Sequence, residues 1–545
     1  MKKTICLFLS AICLLLCPVA YSQTPNPLYQ HLPPKADHIY DINFSQINSK
    51  GNLLSVLSGL PQSNNPHFAL IFDILKDPAS AGIDLSHHII IAQSSATGAG
   101  ADTLAFTNIV LQLSDSAKFR VTLKKVIPDL HIHRLPGKGA SAAHEHLALA
   151  WNDNVVVFTL AAHEGAITDA ASASADSKTP RPHPAPSAVH RPVAEIATEK
   201  SLAALAGFPT SPWTTDQRFL TGFASDADMH FWSTGMNMGR FFAKMAAKMA
   251  KKNGMSPAMP GNFPNIPSGP ANTPIFSTFN FADGRIVFHM TVFNQPGDAA
   301  TMRRFVDHPF NKDLIARLPD GRLLGYMAMH INPAAYKDVL DKYHTRNLVD
   351  SMLQKKGLSI DDFTSAFSGD FLVAALAPDS VATTDTAKKK VRFYLVAGVN
   401  DPAKLMQLAS KLSGVATANP DTSKPHPFKD FANKMVVQDN LLVISGSREQ
   451  AMSYFTHPGR RSTDNIDVSN NMQSLVIDMK AISNYIGSSM ASDPKAMIFA
   501  RILEKLDKIT LTSGLMDGDN TEMTFQIITA EPSNNSLATL LSILH

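Results

Sequence analysis

The side chains with the clearest capacity for chemistry in this sequence are histidines. There are 20, and 12 of them fall between His31 and His190. Two close pairs stand out, His131 with His133 and His144 with His146, the second enclosing Glu145. Alternate residues of a strand share a face, so each pair could present two imidazoles to one Zn2+ or Cu2+ ion. Four nitrogens could converge if the two strands are neighbours. A competing reading makes these histidines solvent-facing, because Pro136-Gly137-Lys138-Gly139 between the pairs reads as an exposed turn. The corresponding stretch further along, 419–429, holds only His426. That mismatch favours the solvent-facing reading.

Other candidate chemistry is thinner. Asp517-Gly518-Asp519-Asn520-Thr521-Glu522 has the look of a calcium loop but lacks the central glycine and the distal glutamate such loops need. Its counterpart, Asp283-Gly284-Arg285, puts an arginine where Asp519 would sit, so a tight hairpin turn accounts for both. The pair Asp361 and Asp362 reads as solvated surface. There is no phosphate loop, nucleophile elbow, His-Glu-x-x-His helix or dinucleotide fingerprint. No cofactor is expected.

Export is written into the first residues. Lys2 and Lys3 precede an apolar stretch over residues 5–19, and Ala20-Tyr21-Ser22 places small residues for cleavage before Gln23. Lipid attachment at Cys17 is disfavoured, because Leu14, Leu15 and Leu16 are bulky where small residues are required. Cys6, Cys13 and Cys17 are the three cysteines, all within this signal. The mature chain therefore offers no disulfide, thiolate zinc site or cysteine nucleophile. Removing 22 of 545 residues leaves 523, enough for two to four hydrophobic cores. Loss of Lys2 and Lys3 takes the formal charge from +3 to +1, which gives no reason to expect nucleic acid as a partner. A periplasmic or cell-envelope location follows, with no transmembrane helix in the mature chain.

The elements that would position any site come in two similar series. Asn43 after a strand-like 37–42 leads into a helical pattern, as Asn332-Pro333 does after a strand-like stretch from Leu323 to Ile331. Asp115 and Asp401 each open a helix after a strand, 286 residues apart, and the hairpin turns at Asp153 and Asp439 keep that offset. The offset falls to 245 between Phe241 and Ile486, then to 234 between Asp283 and Asp517. Inserts at 165–200 and 251–274, rich in Ala, Ser, Pro and His or in Met, Pro and Gly, account for both drops and read as irregular and exposed. Residues 239–252 form an apolar helical stripe with Lys244, Lys248, Lys251 and Lys252 elsewhere. The counterpart around Tyr485 keeps the stripe and loses the charge, so core packing outranks membrane binding. The pattern predicts an α+β fold: two tandem divergent copies of a mostly antiparallel sheet module with helices on it. The modules are expected at 23–300 and 318–545.

The opening Leu32-Pro33-Pro34-Lys35-Ala36-Asp37, with Ile42-Asn43 and a helix carrying Lys50 and Leu53-Leu54, resembles a Bacteroidetes family of exported envelope proteins. That family is classed only as domain-of-unknown-function family 4836, and the resemblance implies an envelope location without an activity. Three function classes follow from the residues. The first is a non-catalytic binding or structural module holding an envelope protein or small ligand. The others are a metal-dependent periplasmic protein using His131, His133, His144 and His146, and a hydrolase with no sequence signature. Mass spectrometry of protein recovered from cells is expected to show Gln23 as the first residue and no lipid. A diacylated Cys17 would instead make the protein membrane-tethered.

Overall fold

A computed structural model describes residues 26–52, 77–97, 103–136, 139–144, 146–163, 193–234, 273–342, 346–354, 357–378, 391–414, 434–456, 471–489 and 494–544. The strands of the first half are β1 (His38–Ile42), β2 (Ile83–Asp84), β3 (Ile89–Thr97), β4 (Thr103–Leu113), β5 (Ile132–Arg134) and β6 (Ala140–His144). They continue with β7 (Leu147–Trp151), β8 (Val155–His163), β9 (Met229–Ser233), β10 (Ile275–Ala282) and β11 (Arg285–Phe293). The second half holds β12 (Leu323–His330), β13 (Phe367–Leu376), β14 (Arg392–Val399), β15 (Met435–Gln438) and β16 (Leu441–Ser445). Its last strands are β17 (Asn471–Asp478), β18 (Leu506–Gly514) and β19 (Asn520–Thr529). Principal helices are α1 (Phe44–Gly51), α2 (Ser116–Val126), α3 (Val193–Ala206), α4 (Pro296–Phe305), α5 (Pro333–Lys342), α6 (Arg448–Thr456), α7 (Met479–Ser489) and α8 (Ser536–Leu544). The protein is thus α+β, with helices on a mostly antiparallel sheet.

Two compact units divide the chain. One comprises residues 1–36 and 65–226, the other residues 37–64 and 227–545. The expected boundary between 300 and 318 does not separate them, because β11 of the first half pairs along its length with β19 of the second.

In the smaller unit, β3 pairs with β4, β4 with β8, β8 with β7, β7 with β6 and β6 with β5, while β2 lies beside β4. Every residue of β7 is buried. Leu104, Phe106, Ala148 and Ala161 form a core that α3 closes with Ala197. The last part of the first expected insert, residues 193–200, is therefore helical and packed, since Ala197 and its neighbours have an apolar sheet to cover. The remainder of that insert, 165–192, lies outside the described residues, as do 251–272, the stripe at 239–252 and the export signal. His31 is a core residue here: it is 6% exposed, and its Nδ1 sits 2.8 Å from the carbonyl of Ala204. Burial lowers its pKa despite that contact.

In the larger unit, the pairings run β1–β9–β10–β11–β19–β18–β17–β12–β13–β14–β16–β15, all antiparallel. The order of partners recurs between halves. The series β1–β9–β10–β11 matches β12–β17–β18–β19, and β3–β4–β8–β7 in the smaller unit matches β13–β14–β16–β15. One half-buried apolar residue per strand continues across the sheet from Phe279 through Phe288, Phe525, Leu511 and Leu475 to Met327, each directly opposite the next. Such cross-strand pairs are the unit of sheet stabilisation. On the other face of β12, burial alternates residue by residue, and Tyr326 and Ala328 join Leu372, Tyr394, Val443 and Tyr454 in the main core.

Local signals act as their residue types require. Asn43 caps α1 by accepting from Gln46 N, Asp115 caps α2, and Asn332 Oδ1 accepts from Ala334 N at 2.9 Å to start α5. Asp439 and Asn440 both adopt positive φ in the β15–β16 turn. Asp517 and Asn520 exchange backbone hydrogen bonds of 3.0 and 2.9 Å, so the segment is a tight turn, and Arg303 donates to the Gly518 carbonyl.

One ion pair ties α1 to the sheet. Lys50 Nζ lies 2.7 and 2.8 Å from the two oxygens of Asp228, a fully buried carboxylate that also accepts from Phe281 N. Removing one member of a buried pair strands the other charge, which typically costs about 3–5 kcal/mol. Lys50→Met is expected to lower stability by that order in urea unfolding. A loss under about 1 kcal/mol would show that Asp228 is held by its backbone contacts alone.

Candidate functional site

The four histidines singled out above sit on two neighbouring hairpins without gathering. His133 lies opposite Ser141 across the β5–β6 pairing, while His144, three residues further along β6, lies opposite Leu147. At about 3.4 Å per residue that spacing is roughly 10 Å along the strand. His131, His133 and His146 are exposed. Among the described residues, the one group of three or more possible ligand residues with donor atoms within 4.8 Å of one another is elsewhere, at Asp307, His308 and His330.

Beside these histidines runs a groove of about 660 Å3, lined by α2, β5, β6 and the β7–β8 turn. Phe119 and Leu123 fix how α2 lies. Both are buried, and the Phe119 ring meets Trp151 and Phe158 edge-on at 5.6 and 6.1 Å. Residues three and four apart on the opposite stripe then face outward. That stripe presents Ala117, Arg120, Val121 and Lys124 to the groove, with Val121 67% exposed. From β5 and its turn come Ile132, Arg134 and Leu135, and Trp151 contributes the buried floor. The carboxylate in the lining, Asp153, accepts from Ser116 Oγ at 3.1 Å. Three cations beside apolar side chains, in a volume within the range of small-ligand sites, suit an anion that carries an apolar part.

The second arrangement lies in the larger unit and centres on His330, 2% exposed at the end of β12. The β12–β13 register puts it directly opposite Asp370, and its Nδ1 is 3.1 Å from Asp370 Oδ1. A register shift between Phe367 and Phe371 forms there around Gly369, whose φ is +108°. A Cβ at Gly369 would stand 2.3 Å from the Ile331 carbonyl, so only glycine allows the strands this approach. On the other side of the ring, Nε2 lies 3.0 Å from Asp307 Oδ1, just beyond α4. Asn332 Nδ2 donates to the second oxygen of Asp307 at 2.7 Å. The His308 ring lies against that of His330, tilted by 34° with centroids 3.5 Å apart.

Burial alone pulls the His330 pKa down. Its hydrogen bonds and charge attraction to Asp370, and then to Asp307, outweigh that, and the net direction is upward from the ordinary histidine value.

The sequence carried a faint mark of this cluster. His330 occupies the inward parity of β12 with Leu324, Tyr326 and Ala328, where a histidine needs polar partners. The partners themselves are distant in sequence. Of the pair read as solvated surface, Asp361 is exposed and pairs with Lys337, whereas Asp362 is half-buried, closes a capping box with Ser359 and meets Lys411. Ser359-Ile360-Asp361-Asp362 carried that signal, since a serine with an acidic residue three positions on can close such a box.

No family model matches this chain, and no curated protein does. Crystal form III of TP0453 is similar with a TM-score of 0.27 and 13% identity, covering 55% of this chain and 88% of that one. Crystal form I of TP0453 gives 0.27 and 11%, covering 51% and 81%. Agreement at this level carries no argument about function. No helix among the described residues is long and apolar enough to cross a membrane.

A group whose pKa is raised on folding stabilises fully below its unfolded value, about 6.5 for histidine, and loses that contribution as pH rises through the folded value. Urea unfolding of the metal-free protein is expected to carry a component of stability that falls from pH 6 upward through this range, opposed by that of His31, whose lowered pKa acts in the other sense. His330→Gln should remove that component, and an unchanged slope would show that His330 is not its source.

Proposed function

We propose that the mature protein is an exported, non-catalytic binding module of the cell envelope, which holds an anionic ligand with an apolar part in the groove beside α2. The single observation that carries this reading is the convergence of Arg120, Lys124 and Arg134 on a groove that also exposes Val121. Cations in a concave site with apolar walls attract and orient an anion. Export is supported by Lys2, Lys3, the apolar run after them and the confinement of all three cysteines to that segment. Descent from a duplicated α+β module is supported by the matching order of strand pairings in the two halves. The resemblance of the opening motif to the Bacteroidetes envelope family agrees with the same location.

Anilinonaphthalene sulfonate, a sulfonate on an aromatic body, is a suitable probe. Its fluorescence is expected to rise saturably with the protein. Replacing both groove cations of α2, Arg120→Glu with Lys124→Glu, should weaken binding at least about tenfold, which corresponds to roughly 1.4 kcal/mol. Both side chains are exposed, so the fold should be retained. Equal affinity in parent and variant would remove the groove from the proposal.

A further inference from the structure

We infer that Asp307, His308 and His330 form a binding site for one divalent transition-metal ion, with Zn2+ as the fitting probe. The inference is independent of the groove.

Two imidazoles and a carboxylate are the donor set of three-ligand zinc sites, which keep a fourth position for water or an outside ligand. A metal-binding imidazole needs one nitrogen bare and the other held as a donor. His330 Nδ1 faces Asp370 Oδ1 at 3.1 Å, and His308 Nδ1 faces the Pro309 carbonyl at 2.8 Å. Each contact keeps a proton on Nδ1 and turns Nε2 toward the cluster, where the second proton of His330, on Nε2, faces Asp307 and is the one an ion must displace. Both Nε2 atoms point at the same acceptor, Asp307 Oδ1, from 3.0 and 3.8 Å.

Ligand atoms about 2.0–2.1 Å from a tetrahedral ion lie roughly 3.3 Å from one another. The two separations of 3.0 and 3.8 Å straddle that value, and the ligand atoms of all three residues lie within 4.8 Å of one another. The supporting shell is also built. Asp370 orients His330 and is itself held by Asn311 N at 3.1 Å, and Asn332 secures the second oxygen of Asp307. Access is open, since the side chains of Asp307 and His308 are 39% and 54% exposed while His330 is buried behind them. On binding, the ion takes the place of the proton shared between His330 Nε2 and Asp307, and that proton leaves to solvent.

Isothermal titration of the metal-stripped, full-length mature protein with Zn2+ tests this. One ion per chain is expected to bind saturably. Loss of a ligand should cost more than the ten- to hundredfold typical of losing an outer-shell partner. His308→Ala and Asp307→Asn, both at exposed positions, should therefore each weaken binding by at least about a hundredfold. The quadruple variant His131→Ala, His133→Ala, His144→Ala, His146→Ala should bind as the parent does. Absence of saturable Zn2+ binding overturns the inference. So does binding that survives His308→Ala and Asp307→Asn, or binding lost in the quadruple variant.

Discussion

The backbone hydrogen bonds between Arg285–Phe293 and Asn520–Thr529 are the constraint on which the larger unit rests. Each of these strands ends a series of pairings within its own half. Left alone, either would present a row of unpaired N–H and C=O groups, which proteins must cover or pair. Here each covers the other over nine residue pairs, with Phe288 opposite Phe525 and His289 opposite Thr524. Outward from this junction the two sides run alike, through β10, β9 and β1 on one side and β18, β17 and β12 on the other. The sheet is continuous because its two terminal edges are mutually satisfied, and the His330 cluster stands on that continuity.

Much of this architecture was legible in single residues. Asn43, Asp115 and Asn332 announce helix starts because a short polar side chain can reach the backbone N–H groups of the first turn. Asp439-Asn440 announces a hairpin because both residues tolerate positive φ. What the sequence could not convey was partnership over distance. The expected boundary after residue 300 followed the repeat of local signals, whereas the compact units follow pairing. Nothing local in 285–293 says that its neighbour lies more than two hundred residues away.

The same limit explains the two sites. Closely spaced histidines at 131, 133, 144 and 146 attract attention because nearness in sequence is easily seen. Nearness in space instead joins Asp307, His308 and His330, and the residue that orients His330, Asp370, lies forty positions beyond it. In the groove, Arg120 and Lys124 could be placed on one helical face from spacing alone, but Arg134 joins them only through the fold.

The β11–β19 junction also has a bearing on assembly. Its two surfaces are complementary, so a β11 from one molecule could equally meet a β19 from another. Covalent linkage decides between these outcomes: two strands on one chain see each other at an effective concentration that a strand from another molecule must exceed. Intramolecular closure therefore wins in dilute solution. In crowded conditions, or when partial unfolding frees both strands at once, exchange of this element between molecules becomes a route to a dimer.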